Sequence, residues 1–229
     1  TVPPYLLGVL ASVPTDAATY RLWVYDLHSF ANRSVFDDAF VDGVSIRGQV
    51  DFAVTIGGLP GHQGFSAFYS SQGGADLETL GDSIIPSPTP GTPGIKESRY
   101  YVAYSFDQYL REAGSSSGES YGLFGQVAVS DGNPNGLRWS MFLGVGGAGL
   151  LPGRSKDRWG VGYYYDGFSQ SLKDALADIQ TIRDEAGIEV FYDFQMTPWC
   201  HVGADLQVIR AGLGESTAVI PGLRAVIRL

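Results

Sequence analysis

Residues 187–210 read GIEVFYDFQMTPWCHVGADLQVIR and contain two alternating runs separated by a short break. In the first run Ile188, Val190, Tyr192, Phe194 and Met196 take every second position, with Glu189, Asp193 and Gln195 between them. A β-strand shows this period of two when its faces meet unlike surroundings. Phe191 alone breaks the polar series. Thr197, Pro198 and Trp199 form a turn, because proline cannot donate to a ladder. The second run then sets Val202, Ala204, Leu206 and Val208 against His201, Gly203, Asp205 and Gln207. Two neighbouring strands thus share one sidedness. A soluble sandwich has the same alternation, but aromatic residues near the strand ends also suit a membrane interface.

The 229-residue chain is 44% hydrophobic and 13% aromatic, with 31 glycines and a mean hydropathy of +0.01. This composition allows one large domain or a piece of one; with the strand pattern described below, residues 1–229 are read as a single β-barrel domain. No run approaches the roughly 18 apolar residues of a membrane-spanning helix. A membrane location therefore requires strands, whose alternation averages to near-neutral hydropathy. The net charge of −9 and a pI near 4.7 argue against nucleic acid as a partner, since binding phosphates needs a basic face. Cys200 is the one cysteine, which excludes an internal disulfide and a multi-cysteine metal cluster; at a strand start it reads as a small hydrophobe. The sequence opens on TVPP, without a basic segment followed by an apolar stretch. Either a leader was removed or the chain begins inside a longer protein.

Alternation and turn residues mark about eleven strands, at 5–13, 20–26, 43–56, 63–72, 98–110, 120–129, 138–147, 158–166, 188–196, 202–208 and 217–229. The clearest is 43–56, with Val44, Ile46, Val50, Phe52, Val54 and Ile56 on one side and Ser45, Arg47, Gln49, Asp51 and Thr55 on the other. Its length suits a tilted membrane strand of about 9–11 residues. Residues 73–97 contain Pro86, Pro88, Pro90 and Pro93 and are expected to be a loop too proline-rich for a central strand or a helix. Residues 169–186 carry Leu172, Leu176, Ile179 and Ile182 at helical spacing, which predicts a short amphipathic helix within a loop. Counted back from the C-terminus, the three longest connections fall in one alternate set. That is the arrangement of a barrel with long outer loops and short periplasmic turns, although two connections of the outer set, 131–137 and 210–216, are short.

The last strand decides which face is which. Val219, Leu223, Ala225, Ile227 and Leu229 share one side, and Arg224 and Arg228 the other. Arginine facing lipid is costly, so the arginines face inward. The same phase turns Gln49, Asp107 and Gln207 inward together with a candidate pore-lining and solute-binding set: Arg47, Asp51, Arg99, Arg138, Asp166, Glu189, Asp193, Asp205, Arg224 and Arg228. Carboxylates, guanidinium groups and amides on many strands offer planar hydrogen-bond partners to hydroxyl-rich solutes. Many of these groups are also expected to pair with one another across the lumen. Arg224 and Arg228 in particular are expected to form a ladder of opposite charges with Glu189, Asp193 and Asp205.

Several phrases, taken in order, carry a family resemblance: GLPGHQ (58–63), SFDQYL (105–110), YGLFGQVAVSDGNPN (121–135), LLPGRSKDRWGVGYYY (150–165), IEVFYDFQMTPW (188–199), ADLQVI (204–209) and GLRAVI (222–227). Together they resemble the carbohydrate-selective porins of the OprB type, from about Leu22 to the C-terminus. The resemblance implies a bacterial outer-membrane barrel of about sixteen antiparallel strands that passes sugars by diffusion, with loops folded into its mouth to narrow it. Eleven strands against sixteen, an odd number, is read as a chain lacking the family's N-terminal strands. Sugar-contacting residues from that portion are not carried over. The chain also ends in Leu229 where such barrels usually end in an aromatic residue.

Enzyme signatures are poor. His28, His62 and His201 fall in a loop, a turn and a strand start, and no HExxH, GxSxG or Walker loop occurs. Residues 131–136, DGNPNG, imitate the start of a calcium loop but have Phe142 at the twelfth position, so a tight Asx-type turn is the preferred reading. No cofactor or metal is expected. The expected partners are small sugars or other hydrophilic solutes and outer-membrane lipid, with a homo-oligomer left open. Two functions compete: a passive, carbohydrate-selective channel, and a plugged barrel serving as a binding, adhesion or envelope-anchoring protein.

Overall fold

A computed structural model describes residues 7–27, 36–84, 92–112, 119–214 and 216–227. Its strands are β1 (Leu7–Pro14), β2 (Thr19–Asp26), β3 (Ser45–Ile56), β4 (Leu59–Ser70), β5 (Gly74–Ala75), β6 (Ile95–Lys96), β7 (Arg99–Arg111), β8 (Ser120–Ser130), β9 (Leu137–Ala148), β10 (Arg158–Phe168), β11 (Glu185–Thr197), β12 (Cys200–Arg210) and β13 (Thr217–Ile227). Two helices are present, α1 (Leu77–Ile84) and α2 (Gln170–Leu176). Leaving aside the small β5–β6 pair, the strands form one 11-stranded sheet in chain order, each antiparallel to the next. Among the described residues no helix is long and apolar enough to cross a membrane.

The expected strands are all present, and their ends shift where turn chemistry decides. Between β3 and β4 the turn is tighter than the expected 57–62, because Ile56 pairs directly with Leu59 across Gly57 and Gly58. Both glycines have positive φ, 61° and 81°, as a two-residue hairpin turn twisted to match its strands requires. A β-branched side chain is poorly tolerated there. Gly57→Val is expected to cost about 1–2 kcal/mol and Gly57→Asn far less, measured as the urea midpoint of unfolding from lipid vesicles.

One face of the sheet is apolar and lies bare. Leu223 is 81% exposed, Val9 72% and Val219 62%, and Ile46, Phe65, Val102, Leu143, Val190 and Leu206 follow the same phase. A soluble sheet would cover such a face with a second layer. Among the described residues the largest fully buried side chains are Gln72, Asp157, Ser45 and Ser70, all polar. The sheet thus has one bare apolar face and keeps its ordered polar contacts away from it.

At one end of the sheet the longer connections interlock. Asp26, Ser45, Ser70 and Gln72 form a buried knot. Gln72 Nε2 donates to Asp26, Gln72 Oε1 accepts from Leu27 N at 2.8 Å, and the Ser45 hydroxyl donates to Ser70 at 2.8 Å. These bonds tie β2, β3 and β4 together at the rim. Helix α1 corrects the expectation that 73–97 is helix-free. The prolines begin at Pro86, so 77–84 is free of them, and Asp76 caps the helix by accepting from Glu78 N at 3.0 Å. Helix α2 is shorter than the 169–186 pattern: Ser169 caps its start, and the chain is claimed for β11 from Glu185 because that residue pairs with Asp166. Ile182 instead forms an isolated bridge with Leu213.

Gly81 of α1 lies against Ala175 of α2. The 131–136 turn wedges beside them. Asn133 Oδ1 accepts from Leu77 N at 3.0 Å and its amide donates to Asp76 at 2.7 Å, while Asp131 accepts from Tyr100 N at 2.9 Å and from Asn135 at 2.8 Å. The oxygens that suggested a calcium loop thus tie the turn to β7 and α1.

Candidate inner wall

Register carries the polar face from strand to strand. Arg21 lies opposite Gln49 and Thr19 opposite Asp51; Gln49 lies opposite Ser66, and Ser66 opposite Ala103. The series continues through Ala128 and Ser140 to Asp166 and Glu185. Arg47, Asp51, Arg99, Asp166, Glu189, Asp193, Asp205 and Arg224 all fall on this face, and Arg138 shares it by alternation with Ser140. Arg228 lies outside the described residues, as do His28 and Leu229.

The polar groups divide into a connected half and a sparse half. On β2 and β3, Arg21 bonds to Asp51, Gln49 donates to both Asp51 oxygens at 2.9 and 2.8 Å, and Arg47 donates to Gln49 at 3.1 Å. Arg47 also stacks over Trp23, its guanidinium carbon 5.0 Å from the ring centroid. On β11 to β13 the expected ladder of opposite charges is not formed as direct pairs. Arg224 faces Gly203, which has no side chain to meet it, and makes no ion pair among the described residues. Asp205 lies over Gly222, and Glu189 faces Gln207.

Several wall residues escape a reading by alternation. Arg21 was hidden because Trp23 and Tyr25, on its own side of β2, look as apolar as Tyr20 and Leu22 on the other. Tyr25, Phe68 and Tyr101 stack across three strands, with ring centroids 6.3 and 5.0 Å apart. Phe191, the break in the opening alternation, shares the polar face with Asp205 and lies over Gly160, where a Cβ would come within 2.5 Å of the ring. The exception is therefore an aromatic residue of the polar face accommodated by a glycine on the neighbouring strand. Towards the short-turn end, His62 stands 3.0 Å from Asp107 and His201 3.2 Å from Asp193.

Outside the strands, three carboxylates are held below the usual range: Asp76, chiefly by the hydrogen bond from the Asn133 amide, and Asp157 and Asp184. Burial pushes Asp157 up, but hydrogen bonds from Arg154, Tyr192 and Gln195 N outweigh it. Burial likewise opposes ionisation of Asp184, and bonds from Lys173, Tyr165 and Phe168 N prevail. Asp184 joins α2 to the start of β11: Lys173 Nζ lies at 2.7 Å and the Tyr165 hydroxyl at 2.7 Å.

The model of the carbohydrate-selective porin, OprB family matches residues 6–228. A solved structure, OprB of Pseudomonas putida at high pH, superposes with a TM-score of 0.78 at 18% identity, covering 98% of this chain and 58% of that one. At that identity the likeness establishes the fold. This chain spans 58% of the length of the structure it matches. No curated protein matches it.

Proposed function

We propose, from the premise that this chain belongs to the OprB family of carbohydrate-selective porins, that it forms part of the wall of a channel through which sugars and similar small polyhydroxylated solutes diffuse passively. The family is one of outer-membrane channels, not of enzymes, and its members reside in the outer membrane of Gram-negative bacteria. The observation that carries the proposal is the pairing of faces: bare apolar side chains on one side, and on the other the Arg21–Asp51–Gln49–Arg47 network beside the Tyr25–Phe68–Tyr101 stack. A sugar presents hydroxyls around its edge and C–H groups on its faces. Guanidinium, amide and carboxylate groups serve the first, and aromatic rings serve the second. No bond is broken; selectivity comes from width and from these contacts. Liposome swelling with neutral sugars of increasing size tests the proposal, and vesicles no more permeable than protein-free controls would refute it.

Arg224 supplies a second test. As an inward cation without an ionic partner among the described residues, it sets local charge more than it supports the fold. In a chain of net charge −9, Arg224→Ala is expected to shift reversal potentials under a salt gradient towards cations and to slow sugar entry modestly, with the unfolding midpoint unchanged. An unchanged reversal potential in an open channel would remove Arg224 from the lining.

The packing of α1, α2 and the 131–136 turn against one another favours a second reading, a barrel closed at its outer end that binds without conducting. Single-channel current in planar bilayers separates the two.

A further inference from the structure

The row that runs across the middle of the polar face is unusual in being small on four successive strands. Ser66 lies opposite Ala103, Ala103 opposite Ala128, and Ala128 opposite Ser140. The neighbouring row on the loop side carries Phe68, Tyr101 and Ser130, and the one on the turn side Ser105, Gln126 and Phe142. Strands lie about 4.8 Å apart, and side chains on one face repeat about every 6.8 Å along each strand. A row of Ser and Ala flanked by Phe68 and Tyr101 on the loop side and by Gln126 and Phe142 on the turn side leaves a trough about 15 Å long. The trough is a cavity of about 520 Å³ with Arg47, Tyr101, Gln126 and Asn135 around its floor, within the size range of small-molecule sites.

Its chemistry is specific. No carboxylate lines it, and Arg47 is its one charged group. The Tyr101 ring is fixed by its stack on Phe68, 5.0 Å away at 22°. Asn135 spends its amide nitrogen on Asp131, at 2.8 Å. The Gln126 amide and the Ser66 and Ser140 hydroxyls make no hydrogen bond among the described residues. Unused donors and acceptors beside an aromatic ring, with one guanidinium and no anion, match a neutral pyranose better than a cation or an acidic sugar.

The geometry points to this trough as a binding site for a neutral mono- or disaccharide in the loop-side half of the channel. The sugar ring lies against Tyr101, and its hydroxyls bond to Arg47, Gln126 and Asn135. This site rests on the porin reading and adds a place and a ligand class to it. A sugar that pauses here obstructs ions, so ion current through the native protein in planar bilayers should fall saturably as maltose is added.

Tyr101→Ala is expected to raise the maltose concentration for half-block about tenfold. Gln126→Ala should raise it severalfold, and Ala128→Phe should fill the trough and abolish the block. The sugar-free current should persist in all three. If Ala128→Phe does not fold, the other two variants decide. Saturable block in the parent that Tyr101→Ala and Gln126→Ala leave unchanged would place sugar elsewhere and overturn this site while the porin reading stands. A parent that conducts ions but neither passes nor responds to maltose would overturn both.

Discussion

Arginine placed at Val190 is expected to destabilise the folded protein by roughly 2–4 kcal/mol, the cost of that side chain facing the middle of a bilayer from a barrel strand. At Glu189, one residue away, arginine is expected to cost under about 1 kcal/mol, because lumen-facing substitutions tune selectivity instead. Val190 sits near the middle of β11, between Val161 and Leu206, and is 47% exposed. Glu189 lies between Gly162 and Gln207 on the opposite face. The comparison isolates the environment, since the strand and the introduced group are the same. Were the sheet surrounded by water, arginine at an exposed valine would be nearly neutral. Urea-driven unfolding from lipid vesicles, followed by tryptophan fluorescence, measures both variants. Equal midpoints would mean that the faces have been assigned the wrong way or that no lipid touches β11.

The second large effect is expected at Asp157. Strand β10 begins at Arg158, which pairs with Asp193, so β11 beyond that point has lost its neighbour on one side. Asp157 and Arg154 replace the missing strand. Asp157 Oδ1 accepts from Gln195 N at 2.9 Å, and Arg154 donates to Gln195 O at 2.9 Å. Arg154 holds the carboxylate through two bonds of 2.8 and 2.7 Å, the Tyr192 hydroxyl adds a third at 2.7 Å, and the guanidinium rests on the Phe194 ring at 3.6 Å.

Asp157 is 1% exposed, so removing it leaves a buried N–H and a cation without their acceptor. Asp157→Ala is expected to cost about 3 kcal/mol, and Asp157→Asn less. The carboxyl is held below the value of about 3.9 that it has in an unfolded chain. Its contribution is therefore full above about pH 4 and is lost as pH falls through the folded value. The stability gap between the parent and Asp157→Asn should be constant from pH 7 to 5 and narrow below pH 4. A gap independent of pH down to 2 would show that the charge of Asp157 contributes nothing.

The strands and the phase of their faces were legible in the sequence because both are local properties. A side chain two residues along a strand returns to the same face whatever lies beside it. The runs 43–56 and 187–210 therefore declared their sidedness, and Arg224 fixed which side was polar. What lies opposite a residue depends on register between strands, and that is set by pairing across long separations. Only the tertiary structure could show that Phe191 rests on Gly160, that Arg224 meets a glycine and not a carboxylate, and that Ser66, Ala103, Ala128 and Ser140 form one row. The same holds for Asp157, which looks in sequence like an ordinary turn aspartate. Its importance comes from Gln195, a residue 38 positions away whose backbone needs partners where β10 stops.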